Sequence, residues 1–137
     1  MSSLGNSISF SSDFIEDVNA LIESKGIEKI TFVLSEDNKF VDDGIKNQEF
    51  DNINDLRKLY KNISDHKRLT SKVYREKNIQ KLVTSLLLKQ KIKEMNLNLS
   101  DWLISKVNVD AKIYSRNNDS FNGVPNNLVE PNNVFLN

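Results

Sequence analysis

Few residues in this 137-residue chain are of a type that does chemistry. There is one histidine, His66, and no cysteine. Without thiols there is no thiolate nucleophile, disulfide framework, sulfur-ligated zinc site or iron–sulfur cluster. One imidazole cannot build a two-histidine metal site. A Gly-rich phosphate loop, a Gly-x-Ser-x-Gly elbow and a His-Glu-x-x-His pattern are all missing, and four glycines are too few to frame a nucleotide site. An acid–base group can still be assembled on paper from His66, Tyr74 and a carboxylate. Asp13 and Asp17 share a helix face by spacing, as carboxylates do on any acidic amphipathic helix. Glu36, Asp37, Asp42 and Asp43 crowd one stretch but do not follow the ligand pattern of a calcium loop, so turn chemistry accounts for them. With neither a nucleophile nor a metal cage in view, the expectation is a protein that is not an enzyme and has no cofactor or metal; catalysis through His66 stands as the third alternative.

Charge is more informative than catalysis. The net charge is zero, but it is divided along the chain. Residues 1–56 carry twelve acids and four bases, residues 57–116 carry fifteen bases and five acids, and the rest holds Asp119 and Glu130. The three parts are therefore −8, +10 and −2. A basic segment of this kind suits an anionic partner, most often nucleic acid. The residues assigned to phosphate are Arg57, Lys58, Lys61, Lys67, Arg68, Lys72, Arg75 and Lys77, with Lys112 and Arg116 further on. The competing explanation is that the acidic and basic parts lie against each other, within one chain or between copies of a homo-oligomer. That leads to the alternative function: a protein–protein adaptor, inhibitor or assembly subunit. Its candidate contacts are Trp102 and the run Val134, Phe135 and Leu136.

These residues need elements to position them. Apolar side chains at 14, 15, 18, 21 and 22 draw a helical stripe, started by Ser12 or Asp13 and closed by Gly26. From Ile27 to Leu34 the period falls to two and β-branched and aromatic residues dominate, as in a strand; Lys39 to Val41 reads as its returning hairpin arm, ended by Asp42-Asp43-Gly44. Ile53, Leu56, Leu59, Tyr60 and Ile63 place a second helix over about 52–63, and a long third one runs from about Thr70 to Met95. Two readings meet over 96–116. One is a helix-turn-helix, with Asp110, Lys112, Ser115 and Arg116 on the second helix; Ile104 stands where that motif wants a small residue. The other takes the alternation from Val107 to Tyr114 as a strand, which period favours and which leaves Trp102 as a core or interface aromatic.

The expected fold is thus α+β: about three amphipathic helices, a small two- or three-stranded antiparallel sheet, and an extended C-terminal tail. Residues 1–116 read as a single compact domain and 117–137 as an arm, because Asn, Gly and Pro recur too often there for a helix. No apolar run approaches the length of a membrane span, and the N-terminus lacks the basic and apolar regions of a secretory signal. The expectation is no membrane partner and a cytoplasmic location, with nucleic acid as first partner and a protein as second.

Overall fold

Ser11, one residue before the expected cap, starts the first helix: its backbone is extended and its Oγ accepts from the N–H of Phe14 at 3.3 Å. This opens the fold of a computed structural model that describes residues 10–70 and 79–124. Helix α1 (Ser12–Lys25) buries Ile22 and rests Phe14 and Val18 on the core. Gly26 closes it at φ 62°, donating its N–H to the carbonyl of Ile22. A side chain at that φ would be strained, which is why glycine stands there.

The strand expected after Gly26 is β1 (Lys29–Ser35), with Phe32 and Leu34 buried on one face and Val33 exposed on the other. The hairpin arm at Lys39 to Val41 is corrected: Lys39–Ile45 is helix α2. Asn38, taken for part of a turn, is an N-cap whose Oδ1 accepts from Phe40 N–H at 3.0 Å and Val41 N–H at 3.1 Å. Val41, Gly44 and Ile45 then fall at helical spacing, with Val41 fully buried. Gly44 does not break the element but lets it approach its neighbour. A Cβ there would lie 2.6 Å from Ile63 Cδ1 and 3.1 Å from Tyr60 Cδ1.

Helix α3 (Asn54–Thr70) runs well past the expected end at 63. Its core face is Leu56, Leu59, Tyr60 and Ile63, all buried. Helix α4 (Ile79–Asn98) follows, and Leu82 through Leu88 are buried without a break, the mark of a helix covered on every side. It touches β1, β2, α2 and α3, while α3 has no extended contact with the sheet. α4 is therefore the middle layer. No described helix is long and apolar enough to cross a membrane.

Of the two readings for 96–116 the strand holds. After the single turn α5 (Asp101–Ile104), residues Asn108–Ser115 form β2. The sheet is mixed rather than antiparallel. β2 pairs parallel with β1, Lys29 against Asn108 through Ser35 against Tyr114, and antiparallel with β3 (Ser120–Gly123), giving the order β1-β2-β3. A parallel pair needs a long crossover, supplied here by α2 to α5. β3 lies within the segment read as an arm, and Asp119, at φ 46°, helps to turn the chain back. The partner of β1 is thus not the expected hairpin arm at 39–41 but a segment 79 residues away along the register.

Candidate nucleic-acid interface

The buried stripe of α3 fixes what the opposite side carries. At 100° per residue, Leu56, Leu59, Tyr60 and Ile63 cluster on one side, and Arg57, Lys58, Lys61, Asp65 and Arg68 on the other. From Arg57 to Arg68 that face runs about 16 Å along the helix. Arg57, Lys58 and Lys61 are exposed and enter no ion pair among the described residues. Asp65 is the one acid set among them. Lys67 turns away from this face, and its Nζ donates to the carbonyl of Ile45 at 2.6 Å. There it satisfies a carbonyl at the end of α2 and complements the negative pole of that helix. Arg68 marks the end of the basic face, beside a cleft of about 450 Å3 that it lines with Lys46, Ser64 and Lys67.

Acidic residues hold the junction beside this face. Asp43 accepts from the hydroxyl of Tyr60, from Glu49 N–H at 3.0 Å and from Phe50 N–H at 3.3 Å. Desolvation pushes the Asp43 carboxyl up, but the Tyr60 hydroxyl and the two backbone donors together outweigh it and hold it below the usual range. The Tyr60 phenol is pushed far up, first by burial and then by Asp43. Gln48, at φ 53°, spans the junction by donating to Ser64 Oγ at 2.7 Å and the Gly44 carbonyl at 3.0 Å. The other acids of the cluster are likewise engaged: Asp42 with Lys46 at 2.9 Å, Asp37 with Ser35 and Arg116, and Glu36 with Ser115 Oγ at 2.7 Å.

His66, the candidate acid–base residue, lies in a polar chain between α3 and α4. Its Nε2 is 3.2 Å from Gln90 Oε1; Gln90 donates to Glu94 at 3.0 Å, and Glu94 pairs with the buried Lys91 at 3.1 Å. Lys91 Nζ also lies 5.2 Å from the ring centre of Phe10, tying the start of the described chain to α4. The imidazole has the contacts of a strut between helices, and it does not line the cleft.

The ten cations assigned to phosphate do not share one surface. Lys112 and Arg116 lie on strand β2 and just after it, with α4 between them and α3, not on a recognition helix. Arg116 pairs with Asp37 at 3.2 Å, and Lys29 pairs with Asp110 at 3.1 Å, so two contacts between the acidic and basic parts of the chain do form at the sheet. Lys72, Arg75 and Lys77 lie outside the described residues, as do Tyr74 and the tail residues Val134, Phe135 and Leu136. Trp102 is a surface residue, 55% exposed, with Lys106 Nζ 3.7 Å from its ring centre; Leu97 (79%) and Ile104 (45%) are exposed in the same α4–α5 corner of the chain.

The sequence reading missed a second surface, the open face of the sheet, where Val33 (48%) and Phe121 (57%) are exposed and Phe121 lies against Tyr114. The alternation of β1 placed Val33 opposite the core face, but nothing local says that Tyr114 and Phe121 would join it. No protein-family model, curated protein or solved structure matches the chain.

Proposed function

We propose that the chain is a small non-catalytic binding protein, a nucleic-acid-binding regulator or accessory factor, whose working surface is the outer face of α3. The observation that carries this reading is the trio Arg57, Lys58 and Lys61, exposed at helical spacing with no ion-pair partner among the described residues. Cations left with water and mobile counterions gain from phosphate, because each contact releases condensed counterions from the nucleic acid. The test is charge reversal, Arg57→Glu with Lys58→Glu and Lys61→Glu. All three positions are exposed, so the fold survives, and binding to mixed-sequence duplex at low salt is lost. Unchanged affinity would remove the reading.

A protein partner is the second reading, favoured by the exposed Trp102, Leu97 and Ile104. A docking arm at the C-terminus belongs to it. Because β3 ends at Gly123, the deletion that tests the arm begins at 125: removing residues 125–137 breaks a complex held by the arm and leaves the sheet paired. A complex that survives the deletion counts against the arm.

A further inference from the structure

We propose that the open face of the β1-β2-β3 sheet is a stacking platform for the unpaired bases of single-stranded nucleic acid. The proposal rests on the nucleic-acid reading above and adds a second surface and a strand form to it. Tyr114 on the central strand and Phe121 on β3 are directly paired across the strands, their ring centres 5.1 Å apart and their planes tilted by 43°. Val33 projects from β1 on the same face, whereas the other face, with Phe32, Leu34, Ala111 and Ile113, is buried.

The next pair along this face is Lys112 opposite Gly123. A Cβ at Gly123 would meet nothing within 4 Å, so the sheet beside Phe121 is bare backbone over which a planar ring can lie. The charges around the rings are mostly matched. Lys29 holds Asp110, Arg116 holds Asp37, and Asp119 accepts from the Tyr114 hydroxyl at 2.9 Å. Lys112 enters no ion pair among the described residues and is the cation left for a phosphate. The Arg116–Asp37 pair is exposed and therefore weak, so a phosphate can compete for the guanidinium.

Aromatic rings beside Lys112 suit a single strand. Every base has a π-face, so stacking on Tyr114 and Phe121 is tolerant of sequence, and the backbone running past Lys112 supplies the anion. A duplex keeps its faces stacked inside and cannot use the rings. Its backbone phosphates suit the cations of α3, on the far side of α4.

The experiment titrates the full chain with a fluorescein-labelled eight-nucleotide oligo-dT and, separately, a labelled mixed-sequence duplex, following anisotropy. Phe121→Ala is expected to weaken oligo-dT about tenfold and leave the duplex unchanged. Lys112→Gln is expected to flatten the salt dependence for oligo-dT by about 0.7 in the log–log slope. Tyr114→Phe keeps the ring, gives up the Asp119 bond and retains binding. Because Phe121 is exposed, an unaltered thermal transition for Phe121→Ala confirms that the fold is intact. If Phe121→Ala binds oligo-dT as the parent does, or the parent binds duplex alone, this proposal falls and the α3 reading stands. If the parent binds neither form, both fall and the sheet face is left to a protein partner.

Discussion

The outer face of α3 and the open face of the sheet lie on opposite sides of α4, and they carry different kinds of unmet demand. On α3 the exposed groups are cations at helical spacing, and three of them enter no ion pair among the described residues. On the sheet the charges are largely paired, and the groups presented are the exposed Val33 and Phe121, with Phe121 tilted against the half-buried Tyr114. A cationic face acts through its field, which salt screens over about 10 Å at 0.1 M. An aromatic face acts by contact, which salt hardly touches. A single tally of basic residues from 57 to 116 merges the two, although only the first carries its cations at helical spacing on one exposed face.

The largest expected effect separates the faces. Reversing Arg57, Lys58 and Lys61 together costs at least a hundredfold in duplex affinity at about 50 mM salt. Lys112→Glu, an equal change per residue on the sheet, leaves duplex affinity within twofold. Comparable losses from both, measured by anisotropy, would merge the faces into one.

Next comes the packing that holds α2 against α3. Gly44→Ala forces a methyl to within 2.6 Å of the buried Ile63 Cδ1. Overpacking of this kind costs about 2 kcal/mol, less whatever the better helix former returns. A fall in Tm of roughly 5 °C by calorimetry is the expected result.

Acid provides a smaller, directional test of the same junction. Because the Asp43 carboxyl sits below its ordinary value of 3.8 in the folded chain, its ionised form contributes stability that is present above that value. That stability is lost as pH falls through the lower, folded value. Asp43→Asn is therefore less stable than the parent at neutral pH, and the gap between them closes in acid. Denaturant midpoints measured from pH 7 down to pH 2 show whether the curves converge; parallel curves would mean that the charge of Asp43 is irrelevant.

The smallest effect belongs to the α4–α5 corner. Trp102→Ala removes an exposed ring that contacts Lys106, and is expected to change stability by less than about 0.5 kcal/mol while leaving duplex binding alone. A larger loss of stability would mean that the ring is part of the core.

What was legible in the sequence followed from local signals. The stripe from Phe14 to Ile22, the alternation from Ile30 to Leu34, and the spacing of Leu56, Leu59, Tyr60 and Ile63 each declare their own element, and β2 was visible in the alternation after Val107. α2 was missed because a cap and a turn use the same residues. Asn38 serves either, and only its bonds to Phe40 and Val41 decide. The parallel pairing of β1 with β2 was illegible for a different reason: it joins segments with four helices between them, and nothing in either strand records its partner. On α3 the cations were read from composition and their common face from period. The aromatic face of the sheet needed the register of β3, four residues long and isolated among Asn and Gly.

The central claim is that α3 presents a phosphate-binding face, and the slope of affinity against salt tests it most directly. Arg57, Lys58, Lys61 and Arg68 on four phosphates give a slope near −3.6, so between about 50 and 200 mM salt the affinity for mixed-sequence duplex falls about a hundredfold. An affinity that does not change across that range, or no binding at the lower salt, would contradict the claim.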